Sequence, residues 1–130
     1  KPQIFRFPGG SVNSYNVGIH QQLIAEMTRR GFVYFDWNVA NGDAVFSKIQ
    51  PSSTLTANAL KGVGTARRAI ILMHDMKINS AKATEMFIPK LEERGFMLLT
   101  VDELFAKDGV TLEPDTVYFR CDDGVTTIKK

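Results

Sequence analysis

Short apolar blocks alternate along the chain with amphipathic stretches, and the alternation predicts strand followed by helix, repeated over most of its length. Residues 4–7 read as a first strand, broken by Pro8-Gly9-Gly10-Ser11, where proline removes a donor and glycine admits positive φ. Val17, Leu23, Ile24 and Met27 then fall on one helical stripe, with His20 at its boundary, and Arg29, Arg30 and Gly31 supply the cations and glycine that suit a helix end. Residues 32–35 form a second strand, followed by a long polar loop over 36–43. A second helix over 53–61 ends at Gly62 and Gly64. Residues 69–73 make a third strand whose continuous apolar run suits a central parallel strand buried on both faces.

Beyond it, Ser80 is placed to cap a third helix running to about Arg94, with Gly95 as its stop. Pro89 inside that helix costs about 3 kcal/mol unless the chain kinks, so a bend is expected near 85–89. Residues 96–101 read as a fourth strand and 102–105 as the start of a short helix. From Asp108 the pattern stops repeating; 117–119 are placed as one edge strand and Asp122-Asp123-Gly124 as a turn.

Strand and helix in this order call for an α/β fold with mainly parallel strands and right-handed crossovers. There are about four βα units, where a closed eight-unit barrel takes about 250 residues, so the sheet edges need covering. Either the sheet is small and open, or the chain is the carboxyl-terminal half of a larger domain; Lys1 as first residue fits the second.

Composition narrows the function classes. The chain has 130 residues, 44% of them apolar, enough for one core. Its net charge of +2, from 16 basic and 14 acidic residues, is scattered, so no basic block marks nucleic acid or a membrane surface. No apolar run approaches the roughly 20 residues of a membrane span. A single cysteine, Cys121, excludes an internal disulfide and a cysteine-built zinc site. It has no histidine nearby in sequence, and a nucleophilic thiol needs a base or cation.

Chemistry gathers where strands end. Met73-His74-Asp75 closes the run 69–72 and puts an ionisable pair at a strand exit, the place where parallel α/β sheets carry their sites. Arg6 and Pro8-Gly9-Gly10 follow the first strand, and Asp36-Trp37-Asn38 and Asp43 follow the second. All are expected to meet on one rim, where an arginine, an acid and a histidine suit proton transfer and oxyanion stabilisation. Blander readings exist beside these: a surface ion pair for Arg6, a turn through Asn41-Gly42 for Asp43, a core position for Trp37. The glycines lack the spacing of a phosphate loop.

The segments RFPGGS (6–11), FDWNVANGD (35–43) and ILMHD (71–75), in that order, resemble the last three motifs of the polysaccharide deacetylases of carbohydrate esterase family 4. That resemblance covers about residues 3–105 and implies the carboxyl-terminal part of a distorted (β/α)7 barrel over 1–107, with 108–130 as a tail. It implies hydrolytic de-N-acetylation of a polysaccharide such as peptidoglycan or a chitin-like glycan. His74 would be the general acid, and Asp43 the carboxylate that hydrogen-bonds it and raises its pKa. Arg6 would orient a base lying elsewhere, Gly9 would lend its backbone N–H to the oxyanion, and Leu72 would line the acetyl pocket; Pro8 and Trp37 are further candidates for contact with the substrate, Trp37 as a surface on which a sugar stacks.

The resemblance also marks what is missing. The motifs that supply the family's catalytic base and its ligands for a divalent metal, zinc foremost, have no counterpart here. The metal and the amino-terminal half of the domain are therefore expected as partners from outside this chain, which alone should be inactive and bind no metal of its own. Gly9 stands where many members carry Tyr, and Ala44 where many carry Trp, so the glycan is less defined than the reaction. The family places such enzymes outside the bacterial cell or on its surface. Two alternatives stay open: a catalytically inactive carbohydrate-binding remnant, and an unrelated small α/β signalling or nucleotide-binding domain.

Overall fold

The four aromatic and β-branched residues of β2 (Phe32–Phe35) form a well-buried strand, with three of four positions enclosed. In the computed structural model, which describes residues 3–11, 13–44, 48–113, 116–118 and 128–129, the chain divides into two units. One comprises 1–36 and 99–130, the other 37–98.

In the first unit, β1 (Gln3–Phe5) runs parallel to β2, with Ile4 opposite Val33. On its other side β2 pairs in parallel with β5 (Thr116–Tyr118), and β5 pairs antiparallel with β6 (Ile128–Lys129). The order β1-β2-β5-β6 makes β5 an interior strand, not the edge strand expected at 117–119. Strands β5 and β6 thus complete this sheet; Cys121 and the turn expected at 122–124 lie outside the described residues.

Helix α1 (His20–Arg29) packs Ile24, with Leu23 and Met27 beside it, onto Phe7 and Tyr34. Val17 does not share that stripe. It lies in the preceding turn, 62% exposed, because the Asn13 side chain accepts the N–H groups of Tyr15 and Asn16 and holds 13–16 in a turn before the helix starts. Helix α4 (Val101–Lys107) opens where Glu103 reaches back to the Thr100 N–H at 2.9 Å, and it buries Phe105. The Phe105 ring lies 5.4 Å from Phe35 and 5.0 Å from Tyr118, centroid to centroid, within the range of favourable aromatic pairs.

In the second unit, β3 (Val39–Ala40) and β4 (Ile71–Leu72) pair in parallel, with helices α2 (Ser52–Val63) and α3 (Ile78–Glu93). Strand β3 lies inside the stretch expected to be a polar loop. Asn38 explains it: its side chain accepts the Ile70 N–H at 2.7 Å and donates to Arg68 O at 3.3 Å, extending the ladder by polar contacts. The core is Val39, Ala59, Val63, Phe87 and Leu91. Gly62 sits within α2 instead of ending it, since a Cβ there would stand 2.6 Å from Val39 Cγ1; glycine lets the helix press onto β3.

Three further expectations change. The third strand is a two-residue ladder and half-buried, not enclosed on both faces. Ile71 and Met73 pack on the core of α2 and α3, so within this unit one helical layer covers one face. Residues 96–101 form no ladder among the described residues: Phe96 joins the core, Met97, Leu98 and Leu99 are exposed, and Val101 starts α4. Apolar β-favouring residues make a strand only where a partner offers hydrogen bonds. Helix α3 begins two residues before Ser80, which is buried inside it, and runs on through Pro89 to Glu93.

Candidate active site

Asp43 is delivered to its place by backbone geometry. Asn41 leaves β3 with its N–H on Leu72 O at 3.3 Å, and its side-chain oxygen accepts the Asp43 N–H at 3.1 Å. Between them Gly42 takes φ +83°, with Asn58 of α2 donating to Asn41 O at 3.0 Å. The turn through Asn41-Gly42 and the acid are one device: the turn carries the carboxylate from the end of β3 to the end of β4.

There Asp43 meets His74, the residue two beyond β4. The carboxylate accepts the His74 backbone N–H at 2.6 Å on Oδ2 and pairs through Oδ1 with His74 Nδ1 at 2.8 Å. Ser80 Oγ donates to Oδ2 at 2.7 Å, and Lys77 Nζ caps the Asp43 carbonyl at 2.8 Å. The Asp43 side chain is 2% exposed and that of His74 32%. Burial opposes ionisation of Asp43, but hydrogen bonds from the His74 ring, Ser80 and the His74 N–H, with the His74 charge, outweigh it and hold the carboxyl below its ordinary value.

The ionised carboxylate fixes the imidazole. An ionised acid only accepts, so the proton shared with Oδ1 belongs to Nδ1, and Nε2 is the nitrogen left for exchange with a ligand. Such an arrangement can hold a proton on Nε2 and deliver it to a leaving group.

The structure brings Asp43 and His74 together and places Leu72, half-buried, on β4 two residues before the histidine. Trp37, half-buried, precedes β3 in the same unit. Arg6, Pro8 and Gly9 belong to the first unit, exposed in the segment that follows β1; the Arg6 guanidinium lies 3.4 Å from Phe7 O. In that segment Ser11 gives both its N–H, at 2.9 Å, and its hydroxyl, at 2.6 Å, to the Asp36 carboxylate. Among the described residues, no three of His, Cys, Asp and Glu gather closely enough to hold a metal ion, so the side chains present do not by themselves fit one.

Sequence reasoning missed Ser80 and Lys77. A serine in the first helical turn reads as a cap; only the path of β3 reveals that it faces Asp43. Ser11 and Asn13 were likewise hidden, since both act on backbone folded back over several residues.

In sequence and fold the chain is similar to a class of hydrolases. No family profile matches the chain. It is 28% identical over 98 residues to the peptidoglycan-N-acetylglucosamine deacetylase of Bacillus cereus, covering 73% of this chain and 34% of that protein. Among solved structures it resembles the catalytic domain of peptidoglycan N-acetylglucosamine deacetylase from Eubacterium rectale, with a TM-score of 0.69 and 33% identity over 85% of this chain and 50% of that one. It also resembles a polysaccharide deacetylase from Bacillus cereus, with a TM-score of 0.54 and 26% identity over 78% of this chain and 49% of that one.

The chain is therefore similar to polysaccharide deacetylases, and in particular to peptidoglycan N-acetylglucosamine deacetylases. It spans about half the length of the solved domains and about a third of the curated relative. The likeness agrees with the motif resemblance of residues 6–11, 35–43 and 71–75 and with a mixed α/β fold of short parallel strands.

Proposed function

We propose that this chain is the carboxyl-terminal part of a (β/α)7-type deacetylase domain and supplies the proton-donating side of its site, for removal of acetyl groups from N-acetylglucosamine in peptidoglycan or a related glycan. The observation that carries the reading is the buried Asp43 carboxylate, which takes both the backbone N–H and the ring Nδ1 of His74. Similarity to deacetylases over 73% to 85% of the chain supports it.

In this reading water adds to the acetyl carbon, the C–N bond breaks, and the proton on His74 Nε2 passes to the departing amine, giving acetate and a glucosamine residue with a free amine that stays in the glycan. Asp43 holds the ring in place and balances its charge while it carries that proton. Gly9 N–H donates to the developing oxyanion, and Arg6 orients the base that removes the proton of the attacking water. Leu72 lines the acetyl pocket, with Pro8 and Trp37 against the sugar. The base, and any divalent metal such as zinc, come from the other half of the domain. Zinc would supply Lewis-acid polarisation of the acetyl carbonyl. Alone, the chain is inactive; the complete protein works outside the cell or at its surface. Among the described residues no helix is long and apolar enough to cross a membrane.

The test is a deacetylation assay of the complete domain on N-acetylglucosamine oligomers. His74→Ala should reduce turnover by about 10²-fold or more at unchanged metal content, the amount a positioned general acid contributes. Retained turnover would remove His74 from the role of acid. Glycan binding without any turnover by the parent would establish the inactive binding remnant instead.

A further inference from the structure

Three successive amides follow Pro8, and two are committed. Gly10 N–H donates to Phe7 O at 3.0 Å and Ser11 N–H to the Asp36 carboxylate at 2.9 Å. Gly9 N–H donates to nothing among the described residues, and Gly9 is exposed. The difference traces to one side chain. Asn13 Nδ2 donates to Pro8 O at 2.9 Å and to Gly10 O at 3.0 Å, while its Oδ1 accepts Tyr15 N–H at 2.8 Å and Asn16 N–H at 3.1 Å.

The carbonyl of Pro8 and the N–H of Gly9 belong to one planar trans peptide and point in opposite directions. A donor clamped on Pro8 O therefore aims Gly9 N–H away from Asn13 and keeps the plane from turning over. It also polarises the same amide, making its N–H a stronger donor, since hydrogen bonds through one peptide reinforce each other. Glycine eases the approach: Gly9 has φ +74°, a conformation strained for an L side chain, and a Cβ there would stand 3.0 Å from Asn13 Nδ2.

We propose that Asn13 is a positioning residue for the oxyanion donor: its carboxamide fixes the Pro8–Gly9 peptide so that Gly9 N–H is the one amide of this segment presented to an anionic oxygen. The inference rests on the deacetylase reading for the identity of that oxygen, and on the chain's own hydrogen bonds for the orientation.

Asn13→Asp tests it in the complete domain. The variant keeps Oδ1 as acceptor for Tyr15 and Asn16 but sets a carboxylate against the carbonyls of Pro8 and Gly10, so the plane is released while the turn survives. With N-acetylglucosamine oligomers, kcat should fall about 10- to 100-fold with KM nearly unchanged, less than or equal to the loss of a full oxyanion donor. In ¹⁵N–¹H spectra the Gly9 amide should move while those of Tyr15 and Asn16 stay. An unmoved Gly9 resonance, or an unchanged kcat, overturns the proposal. Should Asn13→Asp disturb Tyr15 and Asn16 as well, Asn13→Ser, which retains a short acceptor but cannot reach Pro8 O, is read by the same criteria. If the parent protein deacetylates no oligomer, the deacetylase reading fails and the Gly9 resonance alone decides the orientation.

Discussion

Glu26 and Asp43 are both carboxylates held below their ordinary range, one in each unit, and they are held there by different means. Glu26 lies on α1 and is pushed down to about 2 by hydrogen bonds from Arg29 and then Arg30, at 2.7 Å and 2.6 Å, on a side chain 42% exposed. Its partners are long, solvated and within one helical turn. Asp43 sits against desolvation and is kept ionised by donors fixed in the backbone and at the start of α3. A carboxylate of the first kind decorates a surface. One of the second kind is worth its desolvation only if it sets the geometry of something else, here the His74 ring.

The widest separation of the two should come from Asp43→Ala. It strips the acceptor from the His74 N–H, the ring and the Ser80 hydroxyl together, so the unit of residues 37–98 should lose on the order of 3 kcal/mol and the complete domain about 10²- to 10⁴-fold in turnover. Trp37, the single tryptophan, lies in this unit and reports its urea unfolding. A midpoint unmoved by the substitution would put Asp43 in the same class as Glu26.

Ser80→Ala should act in the same direction with less force, about 2 kcal/mol, because one donor to a buried charge is lost and the two from His74 remain. Turnover should drop with it through looser placement of Asp43. An unchanged unfolding midpoint would show that Ser80 fills space without holding the carboxylate.

Acid sharpens the contrast further. Asp43 is depressed below 3.8, so its contribution is complete above that pH and is lost as pH falls through the lower folded value. Unfolding of residues 37–98 followed at Trp37 should therefore gain a proton-linked component below pH 3.8, absent in Asp43→Ala and insensitive to 1 M salt. Glu26 loses its contribution between 4.5 and about 2, with the same sign. For Glu26→Gln we expect the smallest effect of all, a change in α1 visible at low salt by amide exchange and gone at high salt. A salt-resistant effect at Glu26, or a salt-sensitive one at Asp43, would break the comparison.

How much of this could be read from the residues alone follows the same division. Strand 32–35, the helix stop at Gly31 and the pairing candidates Asp43 and His74 were legible because apolar blocks, glycine and motif order act locally. Strand β3 was not, because Asn38 closes a ladder with residues thirty positions away. The fourth strand failed for the converse reason: Phe96 to Leu99 carry the right residues, yet no partner strand meets them among the described residues. Ser80 was misplaced as a cap because its partner, Asp43, lies 37 residues earlier. Local preference names what a segment could become; the long-range partner decides it.

In the proposed function Asp43 fixes the imidazole of His74 with its Nδ1 proton turned inward, leaving Nε2 to carry and release the catalytic proton. Long-range ¹⁵N–¹H correlation of the His74 ring, recorded on the neutral imidazole, reads this directly. The expected result is the hydrogen on Nδ1 and a bare Nε2, reverting in Asp43→Ala to the tautomer mixture of a free histidine. A hydrogen on Nε2 with Nδ1 bare, or a ring indifferent to Asp43→Ala, would contradict it.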